Sequence, residues 1–109
     1  MVYYGEIDDI GELLKYIGKK PSYVVVEGED SNVKLLVFDE TGETEVDMEI
    51  RGGRGRIKSM FAGEYFRDML KAGIGECYVK GGVDAPLVIR ENGSVKSMYV
   101  IAPRIEASG

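Results

Sequence analysis

The apolar positions of this chain switch repeatedly between two periods. Residues 2–4 make a short β-type start. Ile7, Ile10, Leu13, Leu14 and Ile17 then recur at helical spacing, one apolar stripe over three turns. Gly18 stops that helix, with Lys19, Lys20 and Pro21 directly beyond it. Asp8 and Asp9 fall in its first turn, where the helix dipole favours acids. Three strand-like runs follow at 23–27, 33–38 and 44–50, separated by turns at 29–32 and 39–42. In the last run Val46, Met48 and Ile50 alternate with Glu45, Asp47 and Glu49, the pattern of a strand with one dry face and one wet face.

After Arg51-Gly52-Gly53-Arg54-Gly55-Arg56 the order begins again. Residues 57–61 read as a strand, and 63–72 as a helix with Tyr65, Phe66, Met69 and Leu70 on one side and Gly73 and Gly75 behind it. Strands are expected at 76–80, 87–90 and 94–101, with Asn92-Gly93 a strong hairpin signal between the last two. The element order β-α-β-β-β therefore occurs twice, an internal repeat of about 50 residues with half-repeats at about 1–51 and 52–109. The expected fold class is a layered α+β structure in one domain, residues 1–109, with antiparallel sheets on one side and both helices packed on one face.

Composition narrows the function more than the fold. The chain has 109 residues, 30% of them charged, with a formal charge of −5, which argues against tight non-specific binding to nucleic acid by charge alone. It has no histidine, which removes Ser-His triads, Cys-His dyads and His-ligated zinc. Its one cysteine, Cys77, lies in an expected strand and reads as a small core residue, and a reducing, intracellular compartment is its natural setting. No run of 18 apolar residues suggests a membrane span, and residues 1–6 lack the basic and apolar regions of a signal peptide. The acidic patches at Asp8-Asp9, 27–30 and Asp39-Glu40 sit in helix starts and turns, with no convergent partner visible from spacing. No metal, cofactor or enzymatic activity is expected, and the tyrosines are expected in the core.

The segment Asp84-Ala85-Pro86-Leu87-Val88-Ile89 and the ending Met98-Tyr99-Val100-Ile101-Ala102-Pro103-Arg104-Ile105-Glu106 resemble the C-terminal end of the DNA sliding clamp, proliferating cell nuclear antigen (PCNA), somewhat closer to its archaeal members. Leu14-Lys15-Tyr16-Ile17-Gly18 and the helix from Tyr65 to Ala72 match the same domain in order. The resemblance implies a DNA clamp domain of two βαβββ half-repeats, a non-enzymatic processivity factor or scaffold for DNA replication and repair. Such clamps are closed rings of six similar domains around duplex DNA, helices lining the hole and sheets forming the wall. The usual subunit carries two such domains and a connector, whereas this chain matches one.

Three surfaces follow from that likeness, and a fourth from the arginine segment itself. Lys15, Lys19, Lys20, Arg67 and Lys71 would face DNA, although cations are also favoured near helix C-termini, and Asp9, Glu12 and Glu64 stand where the family often has Arg. Arg51, Arg54 and Arg56 are candidate nucleic-acid contacts in a flexible Arg-Gly segment, or a solvated turn between half-repeats. Ala85, Pro86, Val100, Ala102, Pro103, Arg104 and Ile105 match part of the pocket where clamp partners insert peptides, or cover the chain's own core. Self-association, or pairing with a full-length clamp, would run through two edges: Thr44, Val46, Met48 and Ile50 on one, and Val95, Ser97, Tyr99 and Ile101 on the other. The alternative to a ring-former is a clamp-derived regulator that caps an open edge of a full-length clamp and modulates ring closure or loading.

Overall fold

A computed structural model describes residues 2–72, 75–91 and 98–104. The chain runs β1 (Tyr3–Ile7), a 3-10 turn (Ile10–Leu13), α1 (Leu14–Ile17), β2 (Tyr23–Glu29), β3 (Asn32–Asp39), β4 (Gly42–Asp47), β5 (Arg51–Arg54), β6 (Arg56–Ala62), α2 (Gly63–Ala72), β7 (Cys77–Gly81), β8 (Leu87–Glu91) and β9 (Met98–Ile101). The strands form two sheets, ordered β5-β1-β7-β8-β9 and β4-β3-β2-β6, and their named pairings are all antiparallel. Each half-repeat thus lends its first long strand to the other half's sheet. β1 pairs with β7 and β6 pairs with β2, so neither half can complete its sheet alone.

The alternation of side chains along these strands builds the core. Tyr3, Gly5 and Ile7 point inward from β1, Val24 and Val26 from β2, Val33, Leu35 and Val37 from β3, and Cys77 and Val79 from β7. The helical segments close over that layer with Ile10, Leu13 and Ile17 on one side and Phe66, Met69 and Leu70 on the other. Burying each of these large side chains contributes about 2 kcal/mol. The Phe61 and Phe66 rings lie 6.0 Å apart, tying β6 to α2. α1 and α2 touch each other, so both sit on the core side of the sheets. No helix among the described residues is long and apolar enough to cross a membrane.

Several elements differ from the sequence-based expectation. Ile7 belongs to β1, where it pairs with Cys77, because its position fits the strand's alternation as well as the helical stripe. The first helix therefore begins later, as a 3-10 turn. Asp9 is its N-cap, with Oδ1 accepting from Gly11 N–H at 3.1 Å, rather than a first-turn residue. α2 spans the expected residues, but Tyr65 points away from the core at 65% exposure. Tyr4 and Tyr16 are also exposed, and Tyr3 is the fully buried tyrosine among the described residues. Asn92-Gly93 and residues 94–97 lie outside the described residues, and β9 begins at Met98.

The Arg-Gly stretch is an edge strand followed by a tight corner, and not simply a solvated turn. Arg54 pairs across from Tyr4 and Arg51 from Glu6, with an irregularity between them. Glycine is required at two of its positions for different reasons. A Cβ on Gly53 would stand 2.1 Å from the Asp30 carbonyl oxygen, and Gly55 takes φ +98° where the chain leaves one sheet for the other.

Candidate assembly edges and nucleic-acid interface

Two of the four sheet edges are sealed by the chain itself. Along β6, Lys58 N–H donates to the Gly82 carbonyl at 3.1 Å and Asp84 N–H to the Lys58 carbonyl at 3.0 Å, a single parallel bridge at Val83. Ser59, the one buried polar side chain of the described core, reinforces it. Its hydroxyl donates to the Gly82 carbonyl at 2.9 Å and accepts from Ala85 N–H at 3.1 Å. Further along, Arg104 N–H donates to the Met60 carbonyl at 2.6 Å. The outer side of β5 meets the β2–β3 turn. Gly53 N–H donates to Ser31 Oγ at 2.9 Å, Gly55 N–H to Asp30 Oδ1 at 3.0 Å, and Asp30 N–H to the Gly55 carbonyl at 2.8 Å. Tyr3 fixes the same turn, its hydroxyl donating to the Asp30 carbonyl at 2.7 Å. Burial and the Asp30 charge push that phenol up to about 12.

The outer edges of β4 and β9 have no main-chain partner among the described residues. The register defines which groups of β4 are free. Met48 N–H donates to the Val33 carbonyl at 3.0 Å, and hydrogen-bonded pairs recur at every second residue of an antiparallel ladder. Val46, Thr44 and Gly42 therefore bond β3, while Glu43, Glu45 and Asp47 direct their N–H and C=O groups outward. Thr44 is exposed, but Val46, Met48 and Ile50 point into the chain's own core. Any pairing at this edge runs through the main chain rather than through those side chains. On β9, Ile101 is buried and Tyr99 stands opposite Ile89, while Val95 and Ser97 lie outside the described residues.

The helical side is divided by charge. Lys19, Lys20 and Arg67 come together beside Pro21, Glu64 and Asp68 around a groove of about 390 Å³. Arg67 is positioned by its Nε–H, which donates to the Gly18 carbonyl at the end of α1 at 2.8 Å. Lys71 is exposed in the last turn of α2 and does not line this groove. Lys15 is also apart from it, paired with Glu12 at 2.6 Å, and that hydrogen bond holds its ammonium pKa above the ordinary value. At the other end of α1, Asp8, Asp9 and Glu12 face Glu45, Asp47 and Glu49 across a depression of about 400 Å³. The acids at 9 and 12 were visible in the sequence. Their convergence with β4 depends on a register that spacing does not reveal.

The arginine cluster separates in the same way. Arg51 reaches Glu6 at 3.1 Å, Asp8 at 2.8 Å and Glu76 at 3.7 Å, and so joins β1, the segment that follows it and the residue before β7. Arg54 and Arg56 are exposed, on β5 and β6. The residues matched to a partner pocket divide into those placed near one another and those not described. Ala85, half-buried, bonds Ser59, and Arg104 bonds Met60, so residues 85–86 and 102–104 lie along one strand. Pro86 and Ala102 are exposed and Pro103 is half-buried. Val100 stands opposite Val88 on β9, and Ile105 lies outside the described residues. Cys77 is fully buried and burial pushes its thiol pKa up, which removes it as a nucleophile.

A scan of family profiles and a search of characterised proteins return no match. Solved structures do match. The DNA polymerase sliding clamp of Bacillus subtilis superposes with a TM-score of 0.77 at 18% identity, covering 96% of this chain and 31% of that one. The DNA polymerase III beta subunit of Thermotoga maritima gives the same TM-score of 0.77, identity of 18% and coverage of 96% and 31%. The DnaN sliding clamp of Bartonella birtlesii, solved bound to griselimycin, matches with a TM-score of 0.73 at 17% identity over 95% of this chain and 30% of that one. These three are bacterial DNA polymerase clamps, so the finer likeness to PCNA rests on sequence segments alone, residues 14–18, 65–72, 84–89 and 98–106. The chain spans under a third of each of these clamps and has the fold of one sliding-clamp domain.

Proposed function

We propose that this chain is a non-enzymatic clamp domain that assembles through its open strand edges and acts as a processivity factor or scaffold in DNA replication and repair. The observation that carries this reading is the pattern of sealed and open edges. β5 and β6 are closed within the chain, while β4 and β9 each end a sheet with no main-chain partner on the outer side among the described residues. The two open edges differ in sequence, so pairing β4 of one copy to β9 of another is head-to-tail and can close into a ring. The PCNA-type ending, and an intracellular location with DNA, belong to the same proposal. A ring held on duplex by topology needs only weak phosphate contacts, and in this reading Lys19, Lys20 and Arg67, which share a groove, would supply them.

The second reading is a regulator that pairs with one edge of a full-length clamp. It is favoured by the acids that line the other end of α1, since Asp8, Asp9 and Glu12 beside Glu45 and Asp47 would repel a duplex lying along both helices. Retention on closed circular duplex against linear duplex of the same sequence tests the ring. The clamp reading expects retention on circles and loss from open ends. Equal, salt-sensitive retention on both, or none on either, would contradict encirclement by this chain alone.

A further inference from the structure

The solvent face of the five-stranded sheet carries a surface that neither helix nor edge accounts for. Its register sets Arg54, Tyr4, Lys80 and Val88 side by side on four successive strands. One step along, Tyr78 stands opposite Arg90. Tyr4 and Tyr78 are diagonal neighbours, and their rings stack with centroids 5.8 Å apart at 29°. With Lys80, Val88 and Arg90 they line a shallow depression of about 390 Å³. Tyr4 is 42% exposed, and Arg54, Lys80 and Arg90 are exposed without an ion pair among the described residues. Glu6, which stands opposite Tyr78 on this face, is held by Arg51.

We infer that this face is a binding platform for single-stranded nucleic acid, with Tyr4 and Tyr78 stacking bases and Arg54, Lys80 and Arg90 holding the flanking phosphates. The ring pair, exposed at Tyr4 and half-buried at Tyr78, offers a stacking face to any base, and cations one or two strands away, at about 4.8 Å per strand, suit the phosphates of two or three nucleotides. The chemistry separates single strands from duplex, whose bases are stacked on one another and cannot lie on the rings. In a chain of formal charge −5 this is a local positive face, so the contact is short and its position defined. An acidic peptide would satisfy the cations but gives the ring faces nothing to stack. This surface is independent of ring assembly. It lies on the face of β1 opposite Tyr3 and Ile7, which point toward the core that the helices cover.

The test is titration of the full chain with a ten-nucleotide oligothymidylate, a ten-base-pair duplex and poly-L-glutamate. Quenching of tyrosine emission supplies the signal, since the chain has no tryptophan. Binding of the single strand should be tightest. Tyr4→Leu and Tyr78→Leu, which keep apolar bulk on a strand, should each weaken it about fivefold or more. Lys80→Gln with Arg90→Gln, both at exposed positions, should lower the slope of log K against log salt by about 1.4, the counterion release of two phosphates on a single strand. Lys19→Gln with Lys20→Gln, on the helical side, should leave it within about twofold. Binding of duplex or polyglutamate as tight as the oligothymidylate, an equal loss in the Lys19/Lys20 variant, or no quenching at all would overturn the inference.

Discussion

Replacing Ser59 with alanine tests how the β6 edge is closed. The hydroxyl is 2% exposed and makes two hydrogen bonds, to the Gly82 carbonyl and from Ala85 N–H. The two partners respond differently. The Gly82 carbonyl keeps the Lys58 N–H at 3.1 Å, so its loss is the net value of one hydrogen bond, about 1 kcal/mol. Ala85 N–H has no second partner among the described residues and is half-buried, so leaving it unpaired costs about 1–2 kcal/mol. The sum is about 2–3 kcal/mol, a fall in melting temperature of roughly 10 °C for a chain of this size. Urea denaturation of Ser59→Ala against Ser22→Ala, an exposed serine with no side-chain hydrogen bond among those described, measures it. Hydrogen exchange adds a local readout, because the Asp84 and Ala85 amides should lose protection first. A Ser59→Ala protein within about 0.5 kcal/mol of Ser22→Ala, with both amides still protected, would refute the argument that this serine seals the edge.

Three further outcomes are expected. Tyr3→Phe removes the hydroxyl that holds the Asp30 carbonyl and should cost about 1–2 kcal/mol at pH 7 by urea denaturation. The folded phenol is held at about 12 against 10.0 unfolded, so wild-type stability from this group is full below pH 10 and is lost as pH rises toward 12. The gap between the two proteins should therefore narrow over that window, and a gap independent of pH would contradict the assignment. Gly53→Ala places a Cβ 2.1 Å from the Asp30 carbonyl oxygen and should cost about 2–3 kcal/mol by the same assay, with β5 amides losing protection. Arg51→Gln breaks exposed ion pairs to Glu6, Asp8 and Glu76, so it should lower the melting temperature at low salt and converge with wild type at 1 M NaCl, where the Debye length is about 3 Å.

The repeat was legible because its elements carry strong periods and stops. The α2 segment ends where its apolar face ends, and the alternation of Val46 and Met48 against Glu45 and Asp47, at the end of β4 and just past it, survives in the burial pattern. The exchange of β1 and β6 between halves was not legible, since strand pairing depends on partners far along the chain, such as Tyr4 with Lys80 and Tyr23 with Ala62. Short-range ambiguity explains the misplacement of Ile7, which fits both periods. The arginine segment looked featureless because glycine erases alternation, yet two of those glycines are what let β5 fit against Asp30 and turn the corner. The tyrosines were misassigned for a different reason. Tyr4 and Tyr78 lie on the wet face of strands whose dry face carries Tyr3, Ile7, Cys77 and Val79, and only the register brings them together. Of the basic helix residues, sequence alone did not separate Lys19, Lys20 and Arg67, which share a groove, from Lys15, which Glu12 holds.

Native mass measurement at micromolar concentration, on the wild-type chain and on Glu45→Pro and Thr44→Pro, tests head-to-tail edge pairing most directly. Glu45 directs its N–H outward from β4, so proline there removes a donor for a neighbouring strand and spares the bonds to β3, whereas proline at Thr44 breaks the β3–β4 ladder itself. The account expects a closed particle of six copies for the wild type, or a stable pair with a full-length clamp. Glu45→Pro should be a folded monomer that forms no closed particle, and Thr44→Pro should be destabilised. A wild type that stays monomeric alone and with a clamp, or a Glu45→Pro protein that assembles as well as the wild type, would contradict it.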